Sequence, residues 1–131
     1  MSSPAVLLET DRSSAVATIT LNRPRVLNAL NHELSELLQD AVCRVENDSD
    51  VRAIVIRGAG GNFMAGGDIR VFAESLGKEP AARREAFQAL AERIHAAIET
   101  LARMTPPVIG SGAPVVPGKL IGRSRNRRTA I

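Results

Sequence analysis

Val51-Arg-Ala-Ile-Val-Ile-Arg57 runs into Gly58-Ala-Gly-Gly-Asn-Phe-Met-Ala-Gly-Gly-Asp68-Ile69, and the fold of this chain turns on that stretch. The apolar, β-branched run ending at Arg57 reads as a short buried strand. Gly58 to Asp68 reads as a loop, and a short helix from Ile69 to about Ser75 follows. The loop carries no nucleophile, no general base and no metal cluster. It offers backbone N–H groups beside residues with almost no side chain, and it ends on an acid. Glycine lets a backbone come close to a ligand carbonyl and take up unusual φ/ψ values. A dinucleotide-binding turn is a poor match, because Phe63 stands where the third glycine belongs.

Upstream, Val6-Leu-Leu-Glu-Thr and Ser14-Ala-Val-Ala-Thr-Ile-Thr-Leu21 read as two strands joined by a turn at Asp11-Arg-Ser. Val16, Thr18 and Thr20 alternate with Ala17, Ile19 and Leu21, the pattern of one buried and one half-buried face. Asn31 is an N-cap for a helix to about Asn47. Leu34, Leu37, Leu38, Ala41, Val42 and Val45 form its apolar stripe, and Glu33 and Glu36 suit its positive end. Gly77-Lys-Glu-Pro80 breaks the chain before a long helix, about Ala81 to Met104, with Phe87, Leu90, Ile94, Ile98 and Leu101 as its stripe. Thr105-Pro106-Pro107 stops that helix and leads into an extended Val108-Ile109. The order β-β-α-β-α-α-β predicts a layered α/β domain with one sheet.

The chain has 131 residues, the size of one ordinary domain. With 44% hydrophobic residues, three Phe and neither Trp nor Tyr, any core must be aliphatic. No apolar run is long enough to span a bilayer. Glu9 and Asp11 argue against a transit peptide, and Cys43 is alone, which excludes an intramolecular disulfide; a reducing cytoplasm is the expected setting. The net charge of +3 is a property of the end of the chain. Lys119, Arg123, Arg125, Arg127 and Arg128 lie there with no acid, and without them 12 basic residues face 14 acidic ones. No aromatic residue interleaves with those arginines, so a specific nucleic-acid partner is not expected.

A second motif, Leu21-Asn-Arg-Pro-Arg-Val-Leu-Asn-Ala-Leu-Asn31, stands at a matching distance before the glycine stretch. Together the two resemble the N-terminal signatures of the enoyl-CoA hydratase/isomerase (crotonase) family, over about residues 5–109. The resemblance implies a crotonase-like superhelix of ββα units, incomplete here at about the first half of the family domain. It implies acyl-CoA thioester substrates, with coenzyme A as part of the substrate, no prosthetic group and no membrane partner, and assembly as trimers or hexamers. It implies an oxyanion hole of two backbone N–H groups that holds the thioester oxygen as it gains enolate-like charge. By position in the Ala-Gly-Gly-Asp match, Gly67 would give the first N–H. Ala65 and Gly66 would line the adenine and pantetheine path, with Asp68, Ile69 and Arg70 around it. Arg25 would lie near the CoA phosphates and Leu27 near the ligand.

The second oxyanion donor and the catalytic glutamates of hydratases follow the Pro-Pro-Val-Ile match in the family. Here Gly110-Ser-Gly-Ala-Pro-Val-Val-Pro-Gly-Lys stands in that place, and no Asp or Glu occurs after Glu99. Residues 1–109 therefore read as the N-terminal part of the domain and 110–131 as a divergent basic tail expected to be disordered. Read one nucleotide downstream, possible codons for Gly110 to Ala113 encode Ala-Ala-Val-His. Those for Gly122 to Arg128 encode Ala-Asp-Leu-Ala-Ile-Ala-Ala. Both resemble family strings, which raises a frameshifted origin for the tail. The expectation is a hydratase/isomerase relative inactive by itself. The alternatives are a non-catalytic acyl-CoA-binding or regulatory partner of full-length relatives, or a frameshifted product without function.

The remaining polar residues have plain readings. His32 is a solvated helix start, His95 a packing or surface histidine, and Cys43 a boundary thiol. Arg83, Arg84, Glu85, Glu92 and Arg93 form a solvated helix face with local ion pairs. Asp68 suits a capping role better than a catalytic one.

Overall fold

A computed structural model describes residues 3–113. Strand β1 (Val6–Asp11) turns into β2 (Val16–Leu21), and a single 3-10 turn follows at Pro24–Val26. Helix α1 (His32–Glu46), strand β3 (Ala53–Asn62), helix α2 (Ile69–Ser75), helix α3 (Pro80–Arg103) and strand β4 (Val108–Ala113) complete the order. The four strands form one sheet in the order β1-β2-β3-β4. β1 and β2 are antiparallel with Val6 opposite Leu21; β2 with β3 and β3 with β4 are parallel.

The β1–β2 turn is tied by Asp11, whose Oδ1 accepts from the Ser13 N–H and hydroxyl at 2.9 and 2.6 Å. Ala17, Ile19 and Leu21 point into the core, as their alternation predicts. Ile54 and Ile56 of β3 continue that face, and Val6 and Val108 close it on either side. α1 covers it with Leu34, Leu38, Ala41, Val42 and Val45. Leu34 and Val42 are wholly buried, and each such side chain contributes about 1.5–3 kcal/mol. Asn31 caps α1 by accepting from the Leu34 N–H at 2.9 Å, so that helix begins where the sequence placed it.

Three elements depart from expectation. The buried side of α3 is Leu90, Ala97, Thr100 and Leu101, while Ile98 is 44% exposed. Helix α3 packs on α1 along a line one position round from the stripe, and Phe87 stacks on Phe72 at 4.6 Å between ring centroids. The ion pair on that face is between helices, Arg93 to Glu36 at 2.8 Å. Strand β3 does not stop at Arg57 but runs to Asn62 through a bulge. Arg57 faces Ser111 and Asn62 faces Ala113, so five steps along β3 match two along β4. The positive φ of Gly60 (77°) and Gly61 (88°) makes that excursion possible. Finally, β4 continues four residues beyond Ile109, and Gly112 lies so close to Phe63 that an added Cβ would meet its Cβ at 3.1 Å. Residues 114–131, which carry the basic tail and most of the possible shifted frame, lie outside the described residues.

Candidate functional site

β2 and β3 run parallel, so the segments that follow them emerge at one end of the sheet, where open α/β sheets commonly bind ligands. These segments are the two sequence motifs, and the backbone joins them. Leu30 N–H donates to the Gly66 carbonyl at 2.7 Å, and Asp68 N–H donates to the Leu30 carbonyl at 2.8 Å. This forms a parallel bridge between Leu30 and Gly67. Ala65 N–H donates to the Leu27 carbonyl at 3.0 Å. The bridge engages the groups on either side of Gly67 and leaves its own N–H without a partner among the described residues.

Beneath this bridge lies a polar hub that sequence reasoning missed. Asn28 is fully buried at a positive φ of 56°. Its Nδ2 donates to the carbonyls of Ala59 (3.0 Å) and Asn62 (2.8 Å), and its Oδ1 accepts from the Arg23 N–H at 2.8 Å. Both amide hydrogens and the oxygen are therefore used. Gly58 packs against the same amide: an added Cβ would lie 1.8 Å from the Asn62 carbonyl oxygen and 2.7 Å from Asn28 Nδ2. The glycine at 58 is thus required by packing under the loop. The Arg23 guanidinium donates to the Ala29 carbonyl and, at 3.0 Å, to Asp68 Oδ2.

Asp68 is the N-cap of α2, as its type suggested, accepting from the Arg70 N–H at 3.0 Å. Its Oδ2 also takes a donor from the Arg70 side chain at 3.0 Å. The carboxyl is held well below the usual carboxylate range, first by the Arg70 side chain and then by the Arg70 N–H; burial opposes this and Arg23 adds to it. A carboxylate so engaged is a structural anion and a poor proton acceptor. Because its folded-state value is depressed, its stabilisation is complete above the unfolded carboxylate range, near about pH 4, and drains as pH falls through the folded value. Urea midpoints between about pH 6 and about pH 3 should therefore decline in the native chain and decline less in Asp68→Asn. Asp11, also lowered chiefly by the Ser13 hydroxyl, is present in both chains and cancels from the comparison.

The other residues singled out by sequence gather around the bridge. Ala65, Gly66, Gly67 and Arg70 are exposed, Ile69 is 79% exposed and Leu27 is 42% exposed. Arg25 lies exposed on the 3-10 turn and has no hydrogen bond or ion pair to these residues. The two adjacent glycines differ. Gly66 has a φ of 109°, which L side chains rarely adopt. An added Cβ at Gly67 meets only the Phe72 ring edge, at 3.3 Å. Gly66→Ala should cost about 1–3 kcal/mol in thermal denaturation, and Gly67→Ala less than about 1 kcal/mol.

No group of three or more metal-ligating side chains occurs among the described residues. No helix there is long and apolar enough to cross a membrane. An open groove of about 580 Å³ lies at the opposite end of the sheet, lined by Val45, Asp48, Arg52, Arg103 and Met104 among others. It includes none of the motif residues.

Comparison with known proteins converges on these motifs. The family model described as enoyl-CoA hydratase/isomerase matches residues 16–118. A probable enoyl-CoA hydratase of Mycobacterium tuberculosis, EchA14, is 36% identical over 112 residues, 82% of this chain and 41% of that protein. The mitochondrial 3-hydroxyisobutyryl-CoA hydrolase of Rattus norvegicus is 44% identical over 71 residues, 53% of this chain and 18% of the relative. The crystal structure of an enoyl-CoA hydratase from Mycobacterium smegmatis superposes with a TM-score of 0.71 at 31% identity. It covers 82% of this chain and 39% of that one, so the fold is the crotonase α/β fold in part. With a family model spanning most of its length, the chain belongs to the enoyl-CoA hydratase/isomerase family.

Proposed function

We propose that this chain binds acyl-CoA thioesters and that the Gly67 N–H polarises the thioester carbonyl, as one donor of an oxyanion hole. The observation that carries this reading is the N–H of the exposed Gly67, which has no partner among the described residues while the peptide units on both sides of its Cα are fixed by the Leu30 bridge. A preorganised donor of this kind stabilises developing negative charge without reorganising, and one such donor is worth about 2.7–4 kcal/mol in enzymes that use it. Ala65, Gly66, Ile69 and Arg70 lie beside that N–H in sequence and would line the ligand path, and Leu27 flanks it from the first loop. Arg25 and Arg70 are exposed cations suited to CoA phosphates. Asp68 supports the loop and takes no proton.

Addition of water across a 2,3-double bond, or movement of that bond, also needs groups that move protons. The 131 residues supply no carboxylate after Glu99, and Asp68 is committed to arginines. Each acid or base group contributes about 10²–10⁴-fold, so a chain without the pair binds and polarises but does not turn over. The test is titration of the purified chain with a 2,3-unsaturated acyl-CoA and with CoA itself, followed by a hydration assay. The acyl-CoA should bind about tenfold tighter than CoA, consistent with one added carbonyl hydrogen bond, and should hydrate no faster than in buffer. Equal affinity would remove the carbonyl from the site, and rapid hydration would show that the chain carries proton-transfer groups after all.

A further inference from the structure

We infer that Arg23 is the positioning residue of this site: it ties the two motif loops together and so fixes the direction in which the Gly67 N–H points. The inference rests on the reading of Gly67 as a carbonyl donor. Gly66 and Gly67 have no side chains with which to hold a conformation, and a glycine pair left to itself samples many. Something outside the pair must set its geometry. Arg23, directly after β2, reaches both loops at once: its guanidinium donates to the Ala29 carbonyl on the first and to Asp68 Oδ2 on the second. Its own N–H is held by Asn28, which in turn grips the bulge of β3 at Ala59 and Asn62.

The two residues that the Arg23 guanidinium touches flank the bridge itself. Ala29 precedes Leu30, whose N–H and carbonyl bind Gly66 and Asp68, and Asp68 follows Gly67. The Arg23 side chain is 14% exposed, against 63% for Arg70, although both meet the same carboxylate oxygen at 3.0 Å. The shielded arginine is screened less by water and salt, so it is the one that can hold the loops. Two acceptors in different directions suit a planar guanidinium fork, and a lysine ammonium on a flexible stem matches that arrangement poorly. Arg70 also holds Asp68, through Nε at 3.3 Å and Nη2 at 3.0 Å, but at 63% exposure it can exchange those contacts for a ligand anion while Arg23 keeps Asp68 paired.

Two readouts separate this role from bulk stability. In the ligand-free chain, amide hydrogen exchange at Leu30 and Asp68 should rise at least about tenfold in Arg23→Met while the α1 interior is unchanged. In the bound state, the infrared stretch of a ¹³C-labelled thioester carbonyl should shift to lower frequency with the native chain. Arg23→Met should lose most of that shift while still binding CoA, and Arg23→Lys should recover part of it. Unchanged bridge amides in Arg23→Met, or a carbonyl shift equal to the native one, overturn the inference. If Arg23→Met proves unfolded, the same two comparisons made on Arg23→Lys decide it. A native chain that leaves the carbonyl unshifted, with the amide effect intact, overturns Gly67 as the donor and retains Arg23 as the tie between the loops.

Discussion

Gly58→Ala should unfold this chain or lower its melting temperature by about 15 °C or more. The added methyl would sit 1.8 Å from the Asn62 carbonyl oxygen and 2.6 Å from that of Phe63, both backbone atoms, with Asn28 Nδ2 at 2.7 Å. A flexible side chain could swing aside, but a strand carbonyl moves only with its strand. Overpacking alone costs about 1–3 kcal/mol. Relief here also means breaking the Asn28–Asn62 hydrogen bond, and a buried polar group left unpaired costs about 1–3 kcal/mol more. The sum, about 4 kcal/mol, is a large share of the 5–15 kcal/mol typical of a domain, and each kcal/mol moves the midpoint by about 4–8 °C at this size. Gly77→Ala is the control, because no atom lies within 4 Å of an added Cβ there and its φ is not in the left-handed region. It should melt like the native chain. A Gly58→Ala protein that also melts like the native chain would show that the Asn28–Gly58 approach is wrong.

Asp68→Ala should cost about 3–5 kcal/mol, and the reason is what it leaves behind. The Asp68 side chain is 5% exposed and that of Arg23 14%. Removing one member of a shielded pair strands the other charge, which costs more than the pair contributes. The N-cap of α2 is lost as well, a further cost of about 1 kcal/mol in general. Arg70→Ala should cost far less than Asp68→Ala, because its guanidinium is 63% exposed and screened. Combining Arg23→Met with Asp68→Ala should cost clearly less than the two single changes summed, since the double change strands no charge. Urea midpoints at constant slope give all four numbers. An Arg70→Ala chain destabilised more than Asp68→Ala would place the important arginine on the surface and contradict the hub.

The sequence made the local elements legible where local rules decide them. α1 is set by the Asn31 cap and by apolar residues every third or fourth position, and α2 by Asp68 before Ile69; both begin as read. Strand alternation in β2 placed Ala17, Ile19 and Leu21 inward. The two family motifs meet at one end of the sheet, with Leu27, Ala65, Gly66, Gly67, Asp68 and Arg70 around one bridge. What escaped depends on distant partners. Arg23 meets Asp68 across 45 positions, and Asn28 meets Ala59 and Asn62 across 31 and 34. No periodicity encodes such contacts. The one available signal was an asparagine set between Leu27 and Ala29 in an apolar stretch, since a buried amide needs partners somewhere.

One glycine reading changes for the same reason. The sequence groups Gly58 with the glycine loop, yet it lies in β3 and its lack of a side chain is demanded by the Asn62 carbonyl. The conformational demand near the proposed donor falls on Gly66 at φ 109°, while Gly67 would tolerate a Cβ. In α3, spacing alone puts Ile98 in the buried stripe, whereas packing on α1 buries Ala97 with Leu101. Ile98 joins Leu27, Ile69, Phe72 and Leu76 among the large apolar side chains left exposed. The chain spans 41% of EchA14 in length.

The most direct test is the Gly67 amide resonance of the ¹⁵N-labelled chain during titration with an acyl-CoA and, separately, with the thioether analogue that has CH₂ in place of C=O. A hydrogen bond to the thioester oxygen moves the Gly67 proton downfield with the first ligand and leaves it near its free position with the second. A Gly67 amide that responds equally to both, or to neither while other loop amides respond, would contradict its role as the carbonyl donor.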